Sequence, residues 1–328
     1  MASRITTAKN PVDVLVIGAG PAGLACVLTV SRLLLTSICF SSAEFRNAKS
    51  KHMHGVPTWE HRDAADYRDA ARKDILAHYD TASFEDLRIK SLEKREREGG
   101  GTLFKAVDEH GTEWWGRKVA LATGIKDVMP EIAGYDECWA HSIYHCLFCH
   151  GYDERNSASV GVLAMDDCSP APMALHLARF ANRLAEKVVI YTNGNEAVTT
   201  SIKEALSAVR PDSKSAKHIS LDARKISKFV RGSKKGELEI FFTEGGSKVE
   251  GFLVHKPKSA LNGPWKEQLG LETTELGDYK VNFPFNETSV PGVFAAGDCS
   301  GMMKAVGFAT SSGGIIGAGI ASSICSED

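Results

Sequence analysis

The stretch His145-Cys146-Leu147-Phe148-Cys149-His150 holds the most reactive grouping in the chain. Two thiols at this spacing close a small disulfide ring and reopen it, moving two electrons per cycle. An imidazole on each side can take and return the protons of that exchange, because an unperturbed histidine titrates near pH ~6.5. The same spacing also serves zinc, with Cys146, Cys149 and two histidines as a tetrahedral set, and a bare pair can be incidental. The residues alone leave these three readings open. His52, His54 and His141 are weaker candidates, as pocket lining.

Composition narrows the setting. A length of 328 residues exceeds one ordinary core and implies two domains. With 43% hydrophobic and 24% charged residues the composition is that of a soluble globular protein, and a net charge of −2 speaks against nucleic acid or an anionic membrane as main partner. Eight cysteines are too few for a disulfide scaffold, and Cys26, Cys39, Cys138, Cys168, Cys299 and Cys325 are expected to be unpaired. Met1 to Pro11 is polar, no signal peptide is expected, and no apolar run is expected to span a bilayer. The expectation is a cytoplasmic protein.

The elements that must position this chemistry begin at the N-terminus. Val12 to Ile17 is an apolar, β-branched run that reads as a buried parallel strand. Gly18-Ala19-Gly20-Pro21-Ala22-Gly23 follows and opens a helix running from Leu24 to Leu35. Gly18 allows a tight turn, Gly20 a close pyrophosphate and Gly23 close helix–strand packing, so the segment reads as a dinucleotide site. The next strand, from Ser37, ends in Ser41 and Ser42 where an acidic residue usually holds the ribose. A serine hydroxyl can still bond that ribose. Trp59 to Asp63 leads into a helix from Ala64 to Tyr79, and Glu93 to Glu98 before Gly99-Gly100-Gly101 reads as a solvated face entering a hairpin.

Further along, Val119 to Ala122 with Thr123-Gly124 resembles the second contact loop of two-dinucleotide flavoproteins. Ser289 to Asp298 resembles their last strand, whose aspartate binds the flavin ribityl chain, which implies that role for Asp298. The small-residue run from Ala305 to Ile320 reads as a helix whose start, at Val306, would face the pyrimidine end of the isoalloxazine and stabilise negative charge there. The order of these segments around Cys146 and Cys149 resembles the low-molecular-weight thioredoxin reductases over nearly the whole chain. The resemblance implies FAD as cofactor and an α/β fold of two doubly wound, Rossmann-like domains. The FAD domain would be discontinuous, residues 1–127 and 256–328, with an inserted domain over 128–255. It also implies a homodimer, an exchange thiol at Cys146 and a flavin-proximal thiol at Cys149. Zinc at the pair would leave the flavin segments unexplained.

One region departs from the reductases. They carry a second glycine-rich loop for NADPH and an arginine-rich segment after the next strand. Here Val160 to Leu163 runs into Ala164-Met165-Asp166-Asp167-Cys168-Ser169-Pro170, and Lys187 to Tyr191 runs into Thr192-Asn193-Gly194. Glycines and arginines are replaced, and two carboxylates stand where a pyrophosphate would lie. The chain therefore resembles the thioredoxin-reductase-like dithiol oxidases, which close disulfides in compounds such as gliotoxin and holomycin. That implies a small dithiol substrate and molecular oxygen as acceptor, with His150 or His145 as general base. An NADPH- or partner-dependent disulfide reductase is the alternative, and a non-enzymatic flavin-binding protein a third.

Overall fold

The computed structural model describes residues 6–97 and 100–327. The chain divides into two compact units, Met1–Lys126 with Ser259–Asp328, and Asp127–Lys258. The crossings expected from sequence stood at 127/128 and 255/256.

In the first unit Val12–Ile17 is nearly all buried, and its alternate residues serve two cores. Val14 and Val16 pack with Val27 and Ile316 on one face, while Leu15 and Ile17 pack with Phe40 and Phe104 on the other. A strand covered on both faces favours parallel pairing, and it has parallel neighbours on each side, Ser37–Phe40 and Glu113–Leu121. Ala82–Glu85 extends the sheet at one edge and Val293–Ala295 pairs beside Glu113–Leu121. Ile89–Glu96 and Thr102–Asp108 form the expected antiparallel hairpin arm, with Glu96 opposite Thr102. Glu98 and Gly99 lie outside the described residues, as do Met1 to Ile5 of the polar N-terminal stretch.

The first helix is Pro21–Ser31, four residues shorter at its end than the pattern suggests. Leu34 turns into the left-handed region at φ 61°, and the Leu35 N–H reaches back to the Val30 carbonyl. The Asp13 carboxylate then accepts from both the Thr36 N–H and the Thr36 hydroxyl, each at 2.8 Å. Those bonds tie the end of the turn to the first strand and stop the helix early. Ala64–His78 agrees with its expected span to within a residue, and is capped by the Asp63 side chain accepting from the Ala65 N–H.

The last helix, Val306–Cys325, corrects two expectations. It continues past Ile320, and at 20 residues it is long and apolar enough by length and composition to cross a membrane. Its glycines meet the first helix: a Cβ added at Gly313 would sit 2.1 Å from the Ala22 carbonyl oxygen, and one at Gly317 2.6 Å from Thr29 Cβ. The apolar length therefore includes a face packed within this unit.

The second unit holds a five-stranded parallel sheet in the order Ile219–Asp222, Ala185–Tyr191, Ser157–Leu163, Leu253–Val254, Ile143–Tyr144. Helices Ala171–Ala181 and Glu196–Ser207 bury Ala174, Ala178 and Ile202 against Val160, Val188 and Ile190. A three-stranded antiparallel sheet, Ile226–Arg231, Leu238–Phe242 and Ser247–Glu250, accompanies it. Each unit is thus doubly wound. Cys26, Cys39, Cys138, Cys168 and Cys299 are free and buried, and Cys325 is free and exposed.

Replacing Gly313 by alanine should force the two helices of the first unit apart and cost about 1–3 kcal/mol of stability. Denaturant unfolding followed by circular dichroism reads this; an unchanged midpoint would contradict the close backbone approach.

Candidate active site

In the second unit Cys146 and Cys149 form a disulfide, with Cα atoms 5.2 Å apart. The strand Ile143–Tyr144 delivers the pair, and Cys146 then caps the short helix Leu147–His150. The Cys149 N–H donates to Cys146 Sγ at 3.1 Å, a bond that would stabilise a thiolate on Cys146 after reduction. Both flanking histidines are braced by rings. His145 stacks on Trp139 with centroids 5.7 Å apart, and His150 on Tyr144 at 4.7 Å. Tyr144 is itself buried; its hydroxyl lies 2.6 Å from the His141 carbonyl oxygen and 3.2 Å from Glu154 Oε1. Burial and the Glu154 charge hold the Tyr144 phenol above its ordinary pKa, so it stays protonated. Phe148, between the two cysteines, is 82% exposed and presents an apolar face beside the disulfide.

Among the histidines expected to line a pocket, His141 is exposed, and its backbone carbonyl rather than its ring receives Tyr144. His52 and His54 belong to the first unit, where they meet His61, a residue that the sequence reading had not joined to them. The spacing His52-x-His54 followed by His61 was the available signal. Trp139 and Tyr144, the braces of the two histidines, also escaped notice, since only folding brings an aromatic face over each imidazole.

The segment Ala164 to Pro170 connects Ser157–Leu163 to helix Ala171–Ala181, where a second nucleotide would place its phosphates. Asp166 turns through φ 46° and opens a short 3₁₀ turn, Asp166–Cys168. The Cys168 N–H donates to the Met165 carbonyl and the Ser169 N–H to that of Asp166. Pro170 and Pro172 have no N–H, and the Met173 and Ala174 N–H groups both donate to the Pro170 carbonyl. Pro170 thus offers no donor along this turn, and the Cys168 and Ser169 N–H groups are already engaged. A cavity of about 330 Å³ persists here, lined by Met165, Asp166, Asn193 and Lys258 among others. Burial raises the Asp166 carboxyl pKa while Lys258 opposes the rise.

Behind Asp166 sits His255, fully buried, with Nδ1 2.6 Å from the Tyr135 hydroxyl and Nε2 3.6 Å from Asp166 Oδ2. Burial lowers its pKa to about 4, so the ring is neutral at pH 7.

The first unit gathers the expected cofactor residues at the C-terminal ends of adjacent strands. Gly18 has φ 110°, and a Cβ there would lie 2.3 Å from the Ala122 carbonyl oxygen, so only glycine lets the two strand ends meet. Gly20 has open space at its Cβ position, and it begins a helix with Pro21 first and without a side-chain cap. Ala22 and Gly23 are in that helix's first turn, which carries no acidic residue. Ser41 is buried, its oxygen accepting from the Ala43 N–H at 3.2 Å. The Thr123 carbonyl accepts from the Asn262 side-chain amide at 3.0 Å, and Gly124 turns through φ 63°. Asp298 pairs with Arg46 at 3.2 Å, a partner invisible in the sequence order. Val306 starts the last helix, which also lacks a side-chain cap. An uncapped helix start after an open Gly20 suits a pyrophosphate, and these residues fit the cofactor.

Residues 12–313 match the pyridine nucleotide-disulphide oxidoreductase family. The chain belongs to that family. It is 39% identical over 318 residues to thioredoxin reductase aclD of Aspergillus oryzae, covering 96% of this chain and 97% of that relative. It is 38% identical over 322 residues to thioredoxin reductase sirT of Leptosphaeria maculans, covering 96% and 95%. An oxidoreductase from Agrobacterium tumefaciens superposes with a TM-score of 0.82 at 25% identity, over 97% of this chain and all of the other. The protein is a thioredoxin-reductase-like oxidoreductase, and its cofactor is FAD.

The buried His255 has a consequence for pH. Its folded pKa of about 4 lies below the unfolded value near ~6.5, so the unfolded chain binds the extra proton. Its neutral burial is without penalty above ~6.5, and stability is lost as pH falls through that value towards 4, by about 3 kcal/mol. His255→Gln should flatten the pH dependence of the unfolding free energy between pH ~7 and ~4 by that amount. Identical slopes for the two proteins would show that His255 is not buried neutral.

Proposed function

We propose that the protein is a flavin-dependent dithiol oxidase, closing an intramolecular disulfide in a small natural product and delivering the electrons to oxygen as hydrogen peroxide. The observation that carries this reading is the segment Ala164 to Pro170. Its adjacent carboxylates Asp166 and Asp167, its internally bonded Cys168 and Ser169 amides, and Pro170, which has no N–H, oppose a pyrophosphate, while the Cys146–Cys149 pair is intact. Electrons must then enter through the dithiol. The relatives carry the name thioredoxin reductase, which favours a disulfide reductase as second reading; the same segment weighs against NADPH as its electron source.

The residues act in sequence. One substrate thiolate attacks Cys146 Sγ, the Cys146–Cys149 bond breaks, and Cys149 leaves as a thiolate. The second substrate thiol gives its proton to His150 or His145 and attacks the substrate sulfur bonded to Cys146. The product disulfide closes, and Cys146 leaves as a thiolate stabilised by the Cys149 N–H. Ring stacking on Tyr144 and Trp139 limits how far either imidazole can swing, which keeps the base beside the pair. Phe148 offers an apolar surface to a compact, non-peptidic molecule.

Gly18, Gly20, Pro21, Ala22 and Gly23 would hold the FAD pyrophosphate, Ser41 the adenosine ribose, Thr123 and Gly124 the adjoining turn, Asp298 the ribityl chain, and the helix start at Val306 the isoalloxazine. When bound, FAD supplies the two-electron acceptor for the reduced pair and the route from there to oxygen.

Cys149→Ser should lose turnover, and when offered the disulfide product its free Cys146 thiolate should open that disulfide, releasing one product sulfur as a thiolate and leaving a mixed disulfide on Cys146, visible as a mass increase that a reductant removes. Cys146→Ser should trap nothing and stay yellow. With the unaltered protein in air, peroxide and disulfide product should appear one for one, since each product releases two electrons and each peroxide takes two. Near-normal turnover by Cys149→Ser would contradict the assignment.

A further inference from the structure

The segment between strand Ser37–Phe40 and helix Ala64–His78 brings three histidines together. His52, His54 and His61 each offer a ring nitrogen, and these atoms all lie within 4.8 Å of one another. The His54 and His61 rings are 4.5 Å apart between centroids, with His52 at 6.5 Å and 6.3 Å from them. The backbone assembles the group: the Met53 N–H donates to the Arg62 carbonyl at 2.7 Å, and the His61 N–H to that of Met53 at 3.0 Å. That bridge folds the two arms of the segment onto each other. His61 adopts φ 59°, a left-handed conformation uncommon for a residue with a Cβ.

A carboxylate completes the arrangement. Glu60 Oε1 lies 2.7 Å from His54 Nδ1, and Oε2 accepts from the Gly55 N–H at 2.8 Å. Both oxygens are therefore engaged, and the His54 ring is oriented by an acid that is itself anchored. Metal-bound imidazoles commonly have this kind of outer partner, which fixes the ring and raises its basicity.

We propose that His52, His54 and His61 bind one divalent transition-metal ion, Zn²⁺, with Glu60 as positioning residue for His54 and the fourth place taken by water. Zn–N bonds of about 2.0–2.1 Å put tetrahedral nitrogens about 3.3 Å apart, so the rings draw together by side-chain rotation on loading. The ion would clip together the two arms of a segment that the Met53–Arg62 bridge already joins. The site lies wholly in the first unit and does not depend on the oxidase reading.

The test uses full-length FAD-loaded protein in the disulfide form, so that Cys146 and Cys149 cannot bind metal. After EDTA treatment and desalting, ZnCl₂ is titrated by calorimetry, and retained metal is counted by mass spectrometry after gel filtration. One Zn²⁺ per chain should bind with micromolar or tighter affinity. His54→Ala and His61→Ala should each abolish retention, and Glu60→Gln should weaken binding about 10–100-fold. Cu²⁺ bound to the unaltered protein should show nitrogen hyperfine structure from three imidazoles in its electron spin resonance, a readout that needs no variant to fold. Millimolar binding only, unchanged stoichiometry in a correctly folded His61→Ala, or a Cu²⁺ spectrum without imidazole nitrogens would overturn the proposal.

Discussion

A pyrophosphate is held at the start of a helix by backbone N–H groups that nothing else has claimed. Two strand-to-helix turns of this chain, one after Val12–Ile17 and one after Ser157–Leu163, differ in this respect. At Gly18 to Gly23 the turn is open, uncapped and free of acidic residues in the helix's first turn. At Ala164 to Pro170, Pro170 has no N–H, carbonyls within the turn take the Cys168 and Ser169 donors, and Asp166 and Asp167 add negative charge. Both turns join the same kinds of element, so the fold tolerates either. On the proposed reading, the two carboxylates and engaged amides of the second turn are what set the two apart.

The rest of the second unit is consistent with a scaffold kept for positioning. Its parallel sheet carries the strand Ile143–Tyr144, and that strand delivers the disulfide and the two ring-braced histidines. The cavity beside Asp166 remains, backed by a neutral buried imidazole at His255 and lined by Lys258. A nucleotide fold can change its coenzyme contacts without losing its core, because Val160, Val188 and Ile190 pack on the strands while the turn adds only Ala164 and Cys168 to the same cluster.

Much of this was legible in the residues. The first strand is placed to the residue, since an uninterrupted β-branched run before Gly18 admits few other readings. The early stop at Ser31 was hidden, because it depends on Asp13 reaching Thr36 across the fold. The last helix reads as small-residue and apolar, yet its glycine face has meaning only against Ala22 and Thr29. The Cys146–Cys149 pairing lay on the surface of the sequence. The Arg46–Asp298 pair did not, being a contact 252 residues apart, and the Trp139 and Tyr144 braces and the approach of His61 to His52 and His54 depend on turns that no regular period encodes.

The central claim is that electrons enter through the dithiol pair and not through a nicotinamide. Oxidised, FAD-loaded protein mixed without oxygen, in separate experiments, with NADPH and with a small dithiol gives the most direct reading. The account predicts that the dithiol bleaches the yellow flavin absorbance promptly while NADPH leaves it unchanged over the same interval. Prompt bleaching by NADPH would contradict it and return the protein to the reductases.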